Sequence, residues 1–360
     1  MKEIKLGLIG AGGISAAHLG ALAGVRGVRV VGVADIVEAN ARARASQCGA
    51  EHVFTDYNKL LAMDEIDGVI VATPTAHHAA PTIAALKAGK HVLCEKPMAD
   101  SLESATRMVA TAHETGKMLM VGLKLRFSQT VLKAREIIAA GTLGDIYYVE
   151  AVSDRRRGNP GRSFIRKETA GFGACADIGV YPLDTALYVM GHPKPVSVSA
   201  VVSNQVSRLN GPVLGQWAPN LHETEVEDFT VAWVRFENGM SMAFKTSWAM
   251  HMDTLGGTVF LGTKAGMRLG VGEVKGPEPG IHLYRDEFGA MTNVQIQGLA
   301  GREDLFQLEN AAFVDAIREG KPSPIDPDGM LLTNVIIQGA MDSAAAGGRE
   351  VEVRVPSFGK

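Results

Sequence analysis

The chain opens with a strand-like run, a glycine-rich turn and a helical segment, and this unit limits the possible folds more than any other feature. Apolar residues dominate the run IKLGLIG at 4–10, and a helical pattern extends from Ile14 to Ala23. Further pairs of an apolar run and a helical segment repeat this order as far as Val121. Strands that are apolar throughout and alternate with helices are typical of a parallel sheet covered on both faces. We therefore predict an α/β domain with a doubly wound parallel sheet over residues 1–123.

One helix of this domain carries a sequence signal for its start. Asp100 and Glu103 have the spacing of a capping box in front of an apolar stripe. We therefore expect this helix to begin at Asp100 and to end near Thr115.

The pattern changes after about residue 123. Long alternating runs, typical of strands, occur at 146–153, 196–207, 228–237, 240–249 and 257–263. The turn Glu237-Asn238-Gly239 between two of them is a hairpin signal. Helical patterns lie near 128–140, 181–190, 303–319 and 328–346. We predict a second, α+β domain over residues 124–360, with an open, mostly antiparallel sheet whose exposed apolar face favours oligomerisation.

Composition and charge exclude several classes of protein. The chain has 46% hydrophobic and 21% charged residues and a formal net charge of −3, which argues against nucleic acid or an anionic membrane as partner. We find no run of about 18 apolar residues and no N-terminal signal segment, so we expect a cytoplasmic protein. The three widely spaced cysteines argue against a disulfide framework or zinc site. The adjacent His77 and His78 lack a third ligand in the sequence pattern, so we expect no metal.

The glycine-rich turn has the pattern of a dinucleotide-binding fingerprint. Gly10, Gly12, Gly13 and Ile14 follow a strand and open a helix, which is the context of the Rossmann fold. Glycine lets the backbone approach a pyrophosphate, and the helix N-terminus supplies free N–H groups. Asp35 ends the second apolar run, where a carboxylate binds ribose hydroxyls and repels a 2′-phosphate. We predict NAD as cofactor, with NADP possible; the alternative is an ordinary strand–helix turn.

The stretch HVLCEKPM places a lysine directly after a strand. In open parallel sheets the ligand lies beyond the carboxyl ends of the strands, so Lys96 is expected to point into that crevice. Pro97 keeps Lys96 out of the helical region. The alternatives are a surface lysine and, for Cys94, a nucleophile or a small buried residue that ends the strand.

The chain resembles the family of glucose–fructose oxidoreductase, inositol dehydrogenase and the rhizopine protein MocA. The resemblance covers nearly the whole chain and rests on Gly10–Ser15, Asp35, Ala72–Thr75, Glu95–Pro97, Asp177–Asp184, Val226–Phe229 and Asp328–Gly329. It implies oxidation of a hydroxyl group of a sugar, cyclitol or related polyol with a tightly held nicotinamide cofactor. It also implies that the domain over residues 124–360 binds the substrate and that its sheet often forms the surface for dimers or tetramers.

The resemblance assigns roles to individual residues. Lys96 matches the family's catalytic lysine, and Asp177 matches the aspartate of its second active-site motif. Tyr181 stands where many members have histidine, which changes the expected pH behaviour. A phenol is a poor base near neutral pH, but a nearby ammonium favours its phenolate, so Lys96 and Tyr181 are predicted to move the proton. Alternatives are a helix N-cap for Asp177 and a buried aromatic for Tyr181.

Other residues complete the predicted site. Thr73, Pro74, His78 and Glu95 are predicted to lie near the cofactor, with Thr73 and Pro74 beside the nicotinamide ribose. Arg156, in a basic loop, and Arg126, with Lys124 in a turn between the domains, are candidates for substrate binding. Asp184 is either a support for the site or a helix-surface carboxylate. We expect Trp233 and Trp248 in the core or an interface, and the role of Trp217 stays open.

We predict an NAD(P)-dependent dehydrogenase that oxidises a secondary hydroxyl of a sugar, sugar derivative or inositol and forms a homodimer or homotetramer. One alternative is a redox-assisted enzyme that cleaves glycosides and shows no net NADH. The other is a non-catalytic regulator that binds a nucleotide and a sugar.

Overall fold

The first part of the chain forms a six-stranded parallel sheet. We describe residues 2–209, 221–253, 257–270, 280–299 and 303–358 of a computed structural model. The strands are β1 (Ile4–Ile9), β2 (Val28–Ala34), β3 (His52–Phe54), β4 (Gly68–Val71), β5 (His91–Glu95) and β6 (Leu119–Gly122). They lie in the order β3-β2-β1-β4-β5-β6, and all pairs are parallel. The strand order reverses between β1 and β4, which is where ligands bind in such sheets. The predicted Rossmann architecture is confirmed.

Helices alternate with these strands. They are α1 (Gly13–Leu22), α2 (Glu38–Cys48), α3 (Tyr57–Leu61), α4 (Ala79–Lys87) and α5 (Leu102–Thr115). The prediction of Asp100 as the cap of α5 is wrong by one residue. Ser101 has extended backbone angles, and its hydroxyl oxygen accepts the N–H of Ser104 at 3.2 Å. The N-cap is the residue at which the backbone turns into the helix. Asp100 and Ser101 are both residue types that cap helices, so the sequence does not decide between them.

The second part of the chain forms a nine-stranded, mostly antiparallel sheet, as predicted. Its helices are α6 (Gln129–Ala139), α7 (Lys167–Ala170), α8 (Ala174–Asp177) and α9 (Val180–Val189). Its first strands are β7 (Ile146–Asp154), β8 (Pro195–Ser203), β9 (Phe229–Phe236), β10 (Ser241–Ser247), β11 (Thr258–Gly262), β12 (Ala265–Gly270), β13 (Gly280–Glu287) and β14 (Ala290–Ile296).

Three further elements close the chain: α10 (Leu305–Glu319), α11 (Pro327–Ala345) and β15 (Val351–Glu352). The large sheet has the order β14-β13-β12-β11-β7-β10-β9-β8-β15, and β10 and β7 are its parallel pair. Leu183 and Leu187 of α9 share one buried core with Phe244 and Phe260 of the sheet. Alternate residues of β9 are buried, so this sheet packs one face on its core.

The chain divides into two compact units that differ from the predicted domains. Unit 1 comprises Met1–Lys124, Glu303–Leu331 and Pro356–Lys360, and unit 2 comprises Leu125–Arg302 and Leu332–Val355. The sequence prediction assigned all residues after 123 to the second domain. In the structure α10 belongs to unit 1, where it packs against α1 and Gln307 Nε2 donates to Gly24 O at 3.1 Å. Helical periodicity in the sequence indicates that one face of a helix is buried, but it does not indicate which unit of the protein covers that face.

Candidate active site

The glycine loop joins β1 to α1. Gly10 has a φ of +93°, and a Cβ atom there would lie 2.7 Å from the backbone of Ala72 and Thr73, so the position requires glycine. A Cβ atom at Gly12 or Gly13 would meet nothing within 4 Å, which leaves open space in front of α1. Gly12, the N-cap residue of α1, provides no side-chain hydrogen bond to the first turn of the helix. Open space and uncapped N–H groups fit the pyrophosphate of a dinucleotide.

Asp35 follows β2 and connects two loops. Its Oδ2 accepts the N–H of Ala11 at 2.7 Å, and its Oδ1 accepts the N–H of Val37 at 2.8 Å. The carboxylate therefore fixes the glycine loop to the turn after β2. A contact between Asp35 and the ribose stays a prediction.

Arg44 also reaches the glycine loop, and the sequence analysis missed it. From α2, its Nη2 donates to Gly12 O at 3.0 Å and its Nε donates to Ser15 Oγ at 3.1 Å. Arg44 is nine residues beyond Asp35 in the sequence, and the intervening helical turns bring it back to the loop. Ile14 of α1 is 37% exposed, and a contact between Ile14 and the cofactor stays a prediction.

His78 connects the loop after β4 to the turn after β5. The imidazole is buried, with Nδ1 2.9 Å from Pro97 O and Nε2 2.9 Å from Thr73 O. Burial lowers the pKa of His78, and these carbonyl groups oppose that effect. His78 therefore supports the Thr73-Pro74 segment from inside the fold, and direct contacts of these residues with a cofactor stay predictions.

Lys96 lies just beyond the carboxyl end of β5, next to a buried acid. Glu95 Oε2 accepts the backbone N–H of Lys96 at 2.9 Å, and Glu95 Oε1 lies 2.8 Å from His18 Nε2. Burial opposes ionisation of Glu95, but the hydrogen bond and charge of His18 and the charge of Lys96 outweigh it and lower the pKa of Glu95. Burial raises the pKa of the Cys94 thiol to about 12, so Cys94 is a poor nucleophile.

Three predicted residues thus share one edge of the parallel sheet. Gly10, Thr73 and Lys96 follow β1, β4 and β5, which are neighbours in the sheet. The carboxyl ends of parallel strands meet at the same edge. The sequence analysis missed His18, because nothing in its local pattern distinguishes it from a residue on a buried helix face.

In unit 2, Asp177 and Tyr181 are both buried. Asp177 ends α8, and its Oδ2 accepts the indole N–H of Trp248 at 2.9 Å. Tyr181 lies in the first turn of α9. Ile178 and Gly179, which lie between them, have right-handed helical angles, so the chain turns in a helical sense from Asp177 to Tyr181. Their catalytic roles stay predictions.

Glu227 holds the start of the segment that carries Asp177. Its carboxyl oxygens accept the N–H of Gly173 at 2.8 and 3.0 Å and the N–H of Cys175 at 3.0 Å. Burial raises the pKa of Glu227 to about 7, although these backbone donors oppose the shift. A Cβ atom at Gly173 would lie 2.0 Å from Glu227 O, so the approach also requires glycine.

Arg126 and Asp184 form a buried ion pair. Asp184 accepts from Arg126 Nη2 at 2.6 Å and from Nε at 3.1 and 3.2 Å, and the two residues are 1% and 4% exposed respectively. Asp184 is therefore not a helix-surface carboxylate. The pair accounts for Arg126 structurally, and its predicted contact with substrate stays a prediction.

The remaining predicted residues lie in less specific surroundings. The guanidinium of Arg156 is mostly exposed, 3.5 Å from Asp253, and its role in substrate binding stays a prediction. Trp233 is half-exposed and Trp248 is buried, whereas Trp217 lies outside the described residues. Among the described residues, no three His, Cys, Asp or Glu side chains are grouped to hold a metal ion. Within the same ranges, no helix is both long enough and apolar enough to cross a membrane.

Comparison with known proteins matches both parts of the chain. A model of an oxidoreductase family with an NAD-binding Rossmann fold matches residues 4–123. A model of the GFO/IDH/MocA C-terminal domain matches residues 131–268. These matches agree with the resemblance seen in the sequence.

Individual proteins are similar over most of the chain. D-glucoside 3-dehydrogenase of Escherichia coli (strain K12) is 31% identical over 353 residues, covering 96% of this chain and 97% of that protein. Inositol 2-dehydrogenase of Rhizobium meliloti (strain 1021) is 31% identical over 208 residues, covering 58% of this chain and 61% of that protein. The structure of levoglucosan dehydrogenase in complex with NADH has a TM-score of 0.82 at 22% identity, covering 99% and 100% of the two chains. This last likeness shows a shared fold.

Proposed function

The chain belongs to the oxidoreductase family with an NAD-binding Rossmann fold and a GFO/IDH/MocA C-terminal domain, and we propose that it oxidises a secondary hydroxyl of a sugar, a sugar derivative or an inositol. Members related to it are sugar and inositol dehydrogenases that act on CH–OH groups. We propose D-glucosides as the first substrates to test, because a D-glucoside dehydrogenase is similar over nearly the whole chain.

One observation carries the proposal. Lys96 lies at the carboxyl edge of the same sheet that presents the glycine loop, and only β4 separates their strands. A cation at that edge stabilises the negative charge that develops on a hydroxyl oxygen when its proton leaves and its carbon loses hydride. Glu95 and His18 hold the backbone at Lys96 from the buried side.

We propose separate roles for four residues. The glycine loop at Gly10, Gly12 and Gly13 and the carboxylate of Asp35 would hold NAD, which would supply a hydride acceptor when bound. Tyr181 takes the hydroxyl proton as a phenolate, and the ammonium group of Lys96 stabilises that phenolate or the developing alkoxide. Asp177 orients substrate hydroxyl groups, and the Trp248 indole keeps its carboxylate directed. Arg156 contributes a cation that binds polar groups of the substrate.

The test is cofactor reduction by the purified protein with NAD and then NADP. The panel contains D-glucosides, aldoses, uronates and inositols. Steady formation of reduced cofactor with one class supports the proposal and identifies the substrate. Lys96→Ala is expected to abolish turnover, whereas Lys87→Ala, an exposed lysine on α4, is the matched control and is expected to retain it.

Three other outcomes count against the proposal or against one of its parts. Sugar release from a glycoside without net cofactor reduction supports redox-assisted cleavage instead. Nucleotide and sugar binding without any product supports a regulator. Unchanged turnover in Lys96→Ala refutes the role of Lys96 with any substrate.

We also propose a homodimer or homotetramer that forms through the large sheet. Val201, Val231 and Trp233 expose apolar side chains on β8 and β9, and such a face is favourable only when covered. A monomer mass in analytical ultracentrifugation would contradict this.

A cytoplasmic location is also proposed, and it rests on three unpaired cysteines.

A further inference from the structure

A group of buried polar side chains adjoins Lys96 in unit 1, and none of them has a proton- or hydride-transfer role in the proposed reaction. It consists of His18 of α1, Glu95 of β5, and Glu309 and Asn310 of α10, and we call it the buried acid–histidine cluster. No member is more than 6% exposed. Ionisable groups are rarely buried so deeply unless they are paired. The cluster therefore requires an explanation.

Hydrogen bonds connect α10 to the backbone of Lys96. Asn310 faces one side of the His18 ring, with its Oδ1 3.2 Å and its Nδ2 3.0 Å from Nδ1, so the amide suits either protonation state of the ring. On the other side of the ring, Nε2 lies 2.8 Å from Glu95 Oε1. Glu95 Oε2 in turn accepts the N–H of Lys96 at 2.9 Å. The orientation of Glu95, and with it the backbone of Lys96, thus depends on His18.

Glu309 is the member without a hydrogen bond. It is 0% exposed, and neither carboxyl oxygen has a hydrogen-bond partner among the described residues. The charged and titratable groups that face it are Glu95, His18 and Lys124, which follows β6. An ionised carboxylate in such a place is strongly unfavourable, whereas the protonated acid is tolerated.

Electrostatics agrees with this geometry. Burial and then the charge of Glu95 raise the pKa of Glu309 to about 8, while His18 and Lys124 oppose the shift. Burial opposes protonation of His18, but Glu95 and Glu309 outweigh it and raise the pKa of His18. The shifts favour an ionised Glu95 and a protonated His18, and Glu309 is mainly neutral at pH 7.

We propose that Glu309 is a positioning residue for Lys96. As a neutral buried acid, Glu309 does not compete with Glu95 for the hydrogen bond of His18, and Glu95 therefore keeps the Lys96 backbone in place. This inference rests on the proposed function, in which Lys96 contacts the substrate. When Glu309 ionises, it repels Glu95 and competes for the His18 proton donor. Glu95 then loses its fixed orientation, and the Lys96 N–H loses a fixed acceptor.

The test uses the full chain with ¹⁵N-labelled lysine. The Lys96 amide resonance is followed with pH in the parent and in Glu309→Gln, which cannot ionise. Glu319→Gln, an exposed position on the same helix, is the matched control. We expect the Lys96 amide to titrate with a midpoint near pH 8 in the parent and the control, and to lose that transition in Glu309→Gln.

Kinetics gives the second measurement. With a sugar or inositol substrate, Glu309→Gln is expected to retain the neutral-pH kcat, to leave KM unchanged, and to lose the alkaline decline of kcat that the parent and control share. A merely structural role would lower activity at all pH values alike.

Each outcome decides the inference. A Lys96 amide that does not titrate in the parent, or one that titrates equally in Glu309→Gln, overturns it. If no substrate is oxidised but the amide transition depends on Glu309, the proposed function fails and the coupling between Glu309 and Lys96 stands. If a substrate is oxidised with the same alkaline decline in all three proteins, the proposed function stands and this inference fails.

Discussion

Replacement of Trp248 by phenylalanine is expected to destabilise the protein because it removes one buried hydrogen bond and leaves a small cavity. The indole is fully buried among Ala174, Ile178 and Val226, and its N–H donates to Asp177 Oδ2 at 2.9 Å. Loss of a hydrogen bond to a charged group is worth about 1.5–3 kcal/mol. The smaller ring leaves a cavity of roughly 40 Å³, which adds about 1 kcal/mol. The expected loss in the free energy of unfolding is therefore about 2.5–4 kcal/mol.

The assay is urea unfolding followed by far-ultraviolet circular dichroism at one protein concentration. Trp233→Phe is the matched control, because Trp233 is 40% exposed and stacks near Tyr148 with ring centres 5.8 Å apart. We expect the control to lose less than about 1 kcal/mol, as surface substitutions usually do.

A double-mutant cycle with Asp177→Ala, which removes the acceptor, separates the hydrogen bond from the cavity. If the bond matters, Trp248→Phe loses less stability when Asp177 is already replaced, with a coupling free energy of about 0.5–3 kcal/mol. A coupling near zero, or equal losses in Trp248→Phe and Trp233→Phe, would refute the reasoning.

Three further predictions concern other sites. Glu309→Gln is expected to gain stability relative to the parent as pH rises from 4.5 to about 8. In this window the unfolded parent has released the Glu309 proton, whereas the folded parent keeps it. The free energy of unfolding of the parent therefore falls by up to about 1.4 kcal/mol per pH unit. Urea unfolding across this window measures the difference, and a constant difference would contradict it. Arg126→Met leaves the buried charge of Asp184 unpaired and is expected to lower the free energy of unfolding by about 3–5 kcal/mol. The double variant with Asp184→Leu is expected to recover most of this loss. Urea unfolding of both variants measures the difference. Asp35→Ala is expected to lower the preference for NAD over NADP on the order of ten-fold, about 1.4 kcal/mol, in the ratio of kcat/KM values; an unchanged ratio would show that Asp35 does not select the cofactor.

Much of the fold was predictable because its signals are local. The glycine loop depends on a positive φ at Gly10 and on a close approach to Ala72, and glycine is the residue that permits both. Apolar runs and helical periodicity identified the parallel sheet and the antiparallel sheet in their correct order. Local signals failed where neighbouring residues compete, as at the cap of α5, where Ser101 acts in place of Asp100.

The candidate site was predictable only in its outline. Lys96 and Asp35 follow strand ends, and the edge of a parallel sheet brings such positions together. Arg44 was missed because a helix intervenes between it and the glycine loop. Arg126 carried a charge that suggested substrate binding, and only the structure showed Asp184 beside it.

The sequence by itself determined the two sheet types, the glycine loop and the lysine after β5, because backbone preference and side-chain periodicity act over a few residues. Tertiary structure alone decided that α10 joins unit 1 and that His18 lies between Glu95 and Asn310, which are 77 and 292 positions away along the chain. The charge state of Glu309 has the same origin. It depends on burial and on the charges of Glu95, His18 and Lys124, and no local pattern records which residues distant in the chain become neighbours.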